Sequence, residues 1–114
     1  MIQSWQDIRS HYANLLGAEE SLIAMVKLVE KIQSSPYHVG LFAWTSMLDL
    51  CIVQTPVEYP YNGPYLRIAP IKKGELEFRY IDTAIKEKQW HRVVDGNDAF
   101  VRLELFIKQL HWFG

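Results

Sequence analysis

The stretch from Tyr65 to Tyr80 restricts the fold more than any other part of this chain. Leu66 and Ile68 alternate with Tyr65, Arg67 and Ala69, and Lys72-Lys73-Gly74 turns the chain. Leu76, Phe78 and Tyr80 then alternate with Glu75, Glu77 and Arg79. Successive side chains on a strand point to opposite faces, so this pattern describes an antiparallel hairpin with one apolar and one polar face. The apolar face has to be sealed by a second layer. The charged face is left free for recognition.

The flanking sequence supplies the seal. Residues Ser4 to Ser34 read as helix, with Ser4 as N-cap and Asp7 three residues on. Trp5, Ile8, Tyr12, Leu15 and Leu16 share one helical face. Gly17 separates them from a wider stripe of Leu22, Ile23, Met25, Val26, Leu28, Val29 and Ile32. The region is therefore two helices or one kinked at Gly17, and its second part is the more buried. Ser34-Ser35-Pro36 stops it. Strands are expected over Val39 to Thr45 and Leu48 to Gln54, with Thr45-Ser46-Met47 as a tight turn or as a bulge in one bent strand. Pro56 to Pro64 is loop.

Lys88 to Val94 reads as a further strand, with Trp90 and Arg92 on one face and Gln89, His91 and Val93 on the other. The pattern leaves open which of these faces is buried. Asp95-Gly96-Asn97-Asp98 leads into a last helix, capped by Asp95 or Asn97. Phe100, Leu103, Phe106, Ile107 and Leu110 form its apolar stripe, while Arg102, Glu104 and Lys108 face water. Helices grouped at both ends of a run of strands argue against a parallel βαβ fold. The expected fold is α+β: an N-terminal helical region, a four- to five-stranded antiparallel meander sheet and a C-terminal helix, packed as a two-layer sandwich with the helices on one sheet face. At 114 residues this is a single domain, 1–114, since two would each be small for an independent core.

Composition narrows the function classes. Hydrophobic residues at 49% and charged residues at 22% exclude a disordered chain. A formal charge of -1 provides no global field to recruit nucleic acid or an anionic membrane. Residues 75–98 carry six acids against four bases, which cancels attraction to phosphate around Arg67, Arg79 and Arg92. The N-terminal residues lack the pattern of a signal peptide, and no apolar run is long enough to span a bilayer, so a cytoplasmic protein is expected. A lone Cys51 in the apolar run Leu50-Cys51-Ile52-Val53 reads as an inert core thiol. His11, His38, His91 and His111 have no metal-ligand spacing, and the glycines form no phosphate-binding loop. No metal, cofactor or catalytic motif is expected.

What remains is a surplus of rings: four Trp, six Tyr and five Phe exceed what so small a core readily hides. Tyr59, Tyr61 and Tyr65 lie in a proline-stiffened loop, either as a partner-binding lip or pocket wall, or as a cover over the open end of the core. Trp112 and Phe113 pack under the first helix near Trp5 or sit in a dimer interface. Arg79 and Asp82 end one strand while His91 and Arg92 lie on the next, so the four can cluster at one sheet edge. The competing reading makes Arg67, Glu77, Arg79 and Arg92 cross-strand ion pairs on a wet face, with Asp49 facing the same side. The order of elements resembles that of small bacterial immunity proteins and mobile-element cassette proteins, a likeness of architecture that assigns no residue a role.

The expected function is a non-enzymatic binding module, a homo-oligomer or one that meets a protein partner. Its candidate binding residues are Trp44, Tyr59, Tyr61, Tyr65, Arg67, Arg79, Asp82, Trp90, His91 and Arg92. The alternative is a small-molecule pocket or small enzyme lined by Trp44, Arg79, Trp90, His91 and Arg92.

Overall fold

The computed structural model describes residues 1–15, 19–58 and 60–113. Gly17, the expected break between helices, and Tyr59 lie outside the described residues. Three helices come first, α1 (Trp5–Asn14), α2 (Glu20–Gln33) and the single turn α3 (Tyr37–Gly40). Five strands follow: β1 (Phe42–Ser46), β2 (Asp49–Val53), β3 (Tyr65–Pro70), β4 (Glu75–Ile81) and β5 (Trp90–Asp95). Helix α4 (Ala99–Gln109) packs back on the sheet, and short 3-10 turns at Lys86–Lys88 and Gly96–Asp98 precede β5 and α4. Each strand pairs antiparallel with its neighbour in sequence, so the sheet order is β1-β2-β3-β4-β5. The fold is the expected α+β sandwich.

The hairpin's sidedness sets the core. Leu66, Ile68, Leu76, Phe78 and Tyr80 are buried, together with Leu50 and Ile52 of β2. Against them lie Ile8 and Tyr12 of α1, Met25, Leu28, Val29 and Ile32 of α2, and Leu103, Phe106 and Ile107 of α4. Each such side chain contributes about 1.5–3 kcal/mol on burial. Glu75 and Arg79, on the opposite face, are exposed.

Helices α1 and α2 are two antiparallel helices, because Gln6 meets Gln33 at 3.1 Å and Arg9 meets Glu30 at 3.0 Å. Ser4 caps α1, its hydroxyl accepting from the Asp7 N–H at 3.0 Å. Glu19 caps α2 by accepting from the Leu22 N–H at 3.0 Å. The strand expected from Val39 begins instead at Phe42, because Ser35-Pro36 restarts a helical turn. Pro36 sits at φ -61°, the value its ring imposes and a helix needs, and the Ser35 hydroxyl accepts from the Tyr37 N–H.

Strands β1 and β2 are separate, joined by the two-residue turn Met47-Leu48 rather than by Thr45-Ser46-Met47. Met47 takes φ 57°, and the turn is held by Tyr12, whose hydroxyl donates to the Leu48 carbonyl at 2.9 Å. The last strand starts at Trp90 rather than Lys88, which belongs to the preceding 3-10 turn. Asp95 accepts from the Asn97 N–H at 2.8 Å and so caps the turn that feeds α4. Glu104, expected in water, is half-buried and accepts from the Tyr37 hydroxyl at 3.0 Å. Trp112 is buried, and the Phe113 ring lies 5.7 Å from Tyr37. Among the described residues no helix is long and apolar enough to cross a membrane.

Candidate functional site

Strand register lines up a set of side chains on the face that the helices leave bare. Trp44 stands opposite Cys51, Cys51 opposite Arg67, Arg67 opposite Arg79, and Arg79 opposite His91. Directly opposed residues point to the same face, so this row crosses all five strands. The row divides the face into two halves of different character.

The half over β1 to β3 is sealed. The Trp44 ring lies 5.5 Å from Tyr65 and meets Tyr61 edge-on at 6.4 Å. Tyr61 is anchored by its hydroxyl, which donates to the Pro64 carbonyl at 2.8 Å, and the Thr83 hydroxyl donates to the Asn62 carbonyl. A Cβ on Gly63 would come 2.5 Å from the Tyr61 oxygen, so a side chain there would displace the ring from its place against the loop. These rings cover Cys51 and Val53, which are fully or almost fully buried yet lie on the side away from the helical core. Burial pushes the Cys51 thiol from 9.0 up to about 11, with Arg67 pulling the other way. Beside it Arg67 donates to Asp49 at 2.6 Å, both side chains about a quarter exposed. Burial works most strongly against the Arg67 charge, but its hydrogen bonds to Asp49 and Tyr65 and the nearby Cys51 and Asp49 charges together hold its pKa above the ordinary value. Tyr61 of the loop and Tyr65, which the structure places at the start of β3, thus cover the sheet's outer face, and not the open end of the helix-side core.

The half over β4 and β5 is open. A shallow concavity of about 480 Å³ is lined there by Glu77, Arg79, Tyr80, Ile81, Gln89, Trp90 and His91. Arg79 and His91 are exposed, and Arg79 reaches Glu77 at 4.0 Å. The other members of the expected cluster point elsewhere. Asp82 is buried, and its carboxylate accepts from the N–H groups of Ala84 at 3.0 Å and Ile85 at 2.9 Å. It shapes the connection after β4 and does not meet His91. Trp90 turns inward, 4.8 Å from Phe106, which settles the buried face of β5. Arg92 follows it, lying 5.7 Å from the Trp90 ring and donating to the His91 carbonyl at 2.8 Å.

Of the candidate residues, the structure therefore joins Trp44, Tyr61, Tyr65 and Arg67 in the sealed half and Arg79 with His91 in the open half. The Trp90 ring and Arg92 lie on the opposite face, although Trp90 also borders the concavity, and Trp44 stands at the far end of the row from His91. Ile81, Gln89 and Val93 were not among the candidate binding residues, and Glu77 was expected only in an ion pair, although their two-residue spacing from Arg79 and His91 places them on the same face. No known protein family, curated protein or solved structure matches this chain.

Proposed function

We propose that this chain is a protein-interaction module whose recognition surface is the open half of the bare sheet face, over β4 and β5. The observation that carries this reading is the contrast within one row of side chains. At the Trp44 end every ring is packed and the Arg67 charge is neutralised at 2.6 Å. At the Arg79–His91 end charged and apolar groups stand side by side in solvent, including Val93 at 50% exposure. A rigid sheet presenting mixed side chains in fixed register offers a partner a surface with little ordering cost. The shallow form of the concavity suits a protein surface better than an enclosed small molecule.

The test is site-specific photo-cross-linking in cells that produce the chain. A benzophenone amino acid at Arg79 is expected to give a discrete protein adduct, whereas the same group at Val101, on the outer side of α4, is not. Equal adducts from both positions, or none from Arg79, would contradict the reading.

A further inference from the structure

The two edges of the sheet are treated differently. Along β1 the edge is closed by the N-terminal segment. Gln3 donates its N–H to the Ala43 carbonyl at 2.9 Å, and its side-chain oxygen accepts from the Thr45 N–H at 2.8 Å. Along β5, among the described residues, no segment pairs with the outer side. This edge runs for six residues without proline, and His91, Arg92, Val93 and Asp95 are exposed. An edge of this length is a template for another strand.

The direction of its free groups follows from the ladder. Gly96 donates to the Gly74 carbonyl at 2.8 Å, so the pairs that exchange hydrogen bonds with β4 are the even-numbered residues Trp90, Arg92 and Val94. The N–H and C=O groups of His91, Val93 and Asp95 consequently point out of the sheet edge. The ladder also gives this edge a polarity. At one end Arg79 stands opposite His91, and at the other Glu75 stands opposite Asp95. Like charges placed opposite each other are unfavourable, and among the described residues neither Glu75 nor Asp95 belongs to an ion pair.

We infer that β5 pairs antiparallel with β5 of a second copy of this chain, around a two-fold axis at Val93. This rests on the reading of the open half as an interaction surface and extends it to the strand edge that borders that half, with a second copy as the partner. Registers centred on a residue keep the faces matched, and one centred on Val94 sets Asp95 opposite Val93 and leaves His91 without an acidic mate. One centred on Arg92 sets two guanidinium groups opposite each other, and one centred on His91 sets Asp95 opposite Glu87 of the other copy. Centring on Val93 sets a β-branched pair at the axis and places His91 opposite Asp95 of the other copy, twice over. The basic end of each edge then lies against the acidic end of its mate, and every outward N–H and C=O of His91, Val93 and Asp95 finds a partner. The joined sheet is continuous across the axis, an isologous contact. The area of such an edge contact lies at the small end for specific complexes, below about 1,200 Å², so the dimer exchanges with monomer.

Sedimentation equilibrium over about 1 µM to about 1 mM tests this. The expected mass rises with concentration from 13.4 kDa toward twice that value. Val93→Lys, which sets two ammonium groups at the axis, is expected to weaken dimerisation at least tenfold, and so is His91→Glu. Met47→Lys, on the distant β1–β2 turn, leaves it unchanged. In a second measurement, Val93→Cys is oxidised to a disulfide-linked dimer, since directly opposed residues of this type stand about 5.5 Å apart. Met47→Cys serves as the control, and Cys51 is buried and silent. A constant monomer mass, a dimer indifferent to Val93→Lys, or equal cross-linking from both cysteine variants overturns the inference. A protein adduct at Arg79 alongside a constant monomer mass overturns only the identity of the partner.

Discussion

Removing the Trp44 ring tests the sealed half of the outer face directly, because the chain's one thiol lies beneath it. In the folded protein Cys51 has no exposure, and burial pushes its pKa from 9.0 up to about 11. At pH 8 that rise alone lowers the thiolate fraction about a hundredfold, before exclusion of the reagent is counted. Trp44→Ala removes a half-buried ring, and we expect a cost of about 2 kcal/mol, below the figure for a fully buried tryptophan. The folded state survives, and Cys51 becomes accessible with a pKa nearer its ordinary value. Labelling by an aromatic disulfide reagent should accelerate about tenfold to a hundredfold. Leu103→Ala is the comparison, a cavity on the opposite side of the sheet costing about 3 kcal/mol. It exposes Cys51 only by unfolding, so its labelling rate climbs steeply with low urea, whereas that of Trp44→Ala stays flat. If the two variants show the same urea dependence, or if wild-type Cys51 labels like a free thiol, the aromatic seal is not what protects it.

Other expectations follow from single groups. Because the folded Cys51 pKa lies above the unfolded one, its contribution to stability is intact below about pH 9 and lost as pH rises toward about 11. Between pH 8 and pH 10 the loss comes to about 1 kcal/mol, and urea titrations should find it reduced by that amount in Cys51→Ala. Asp82→Ala strips the acceptor from two backbone N–H groups and should cost about 1–2 kcal/mol, a fall in Tm of about 4–8 °C by calorimetry. Met47→Gly relieves a left-handed residue that is 90% exposed, and should raise the urea midpoint by the equivalent of about 0.5 kcal/mol.

Most of the fold was legible because burial repeats at two periods. Leu76, Phe78 and Tyr80 alternate cleanly, and the stripes of α2 and α4 recur at helical spacing, so the layers and their facing sides followed from the sequence. The misreadings fall where a local signal serves two outcomes. Pro36 ends one helix and begins another, because the same fixed φ that breaks an interior turn suits a first turn. The run Leu50 to Val53 reads as buried, and it is, but that Cys51 and Val53 are covered by rings from β1, β3 and the Pro56–Pro64 loop and not by the helices appears only once register is known. Asp82 and His91 are adjacent on paper because a short connection joins their strands. In the fold the carboxylate bonds to the next two free amides in its own chain, the nearest donors available to it. Trp90 was ambiguous for a different reason, since the neighbouring His91 and Arg92 gave no apolar partner to fix the phase of β5.

The packing of α4 also bears on how the molecule is made. Phe106 lies 5.2 Å from Phe78 and 4.8 Å from Trp90, and Leu103 and Ile107 complete the same seam. Translation delivers this helix after all five strands, so during synthesis the meander emerges with Phe78 and Trp90 still bare. Hairpins can zip locally as they leave the ribosome, but the sheet stays sticky until α4 clears the exit tunnel. A pause while α4 is still inside the tunnel would therefore leave a nascent chain in need of a chaperone.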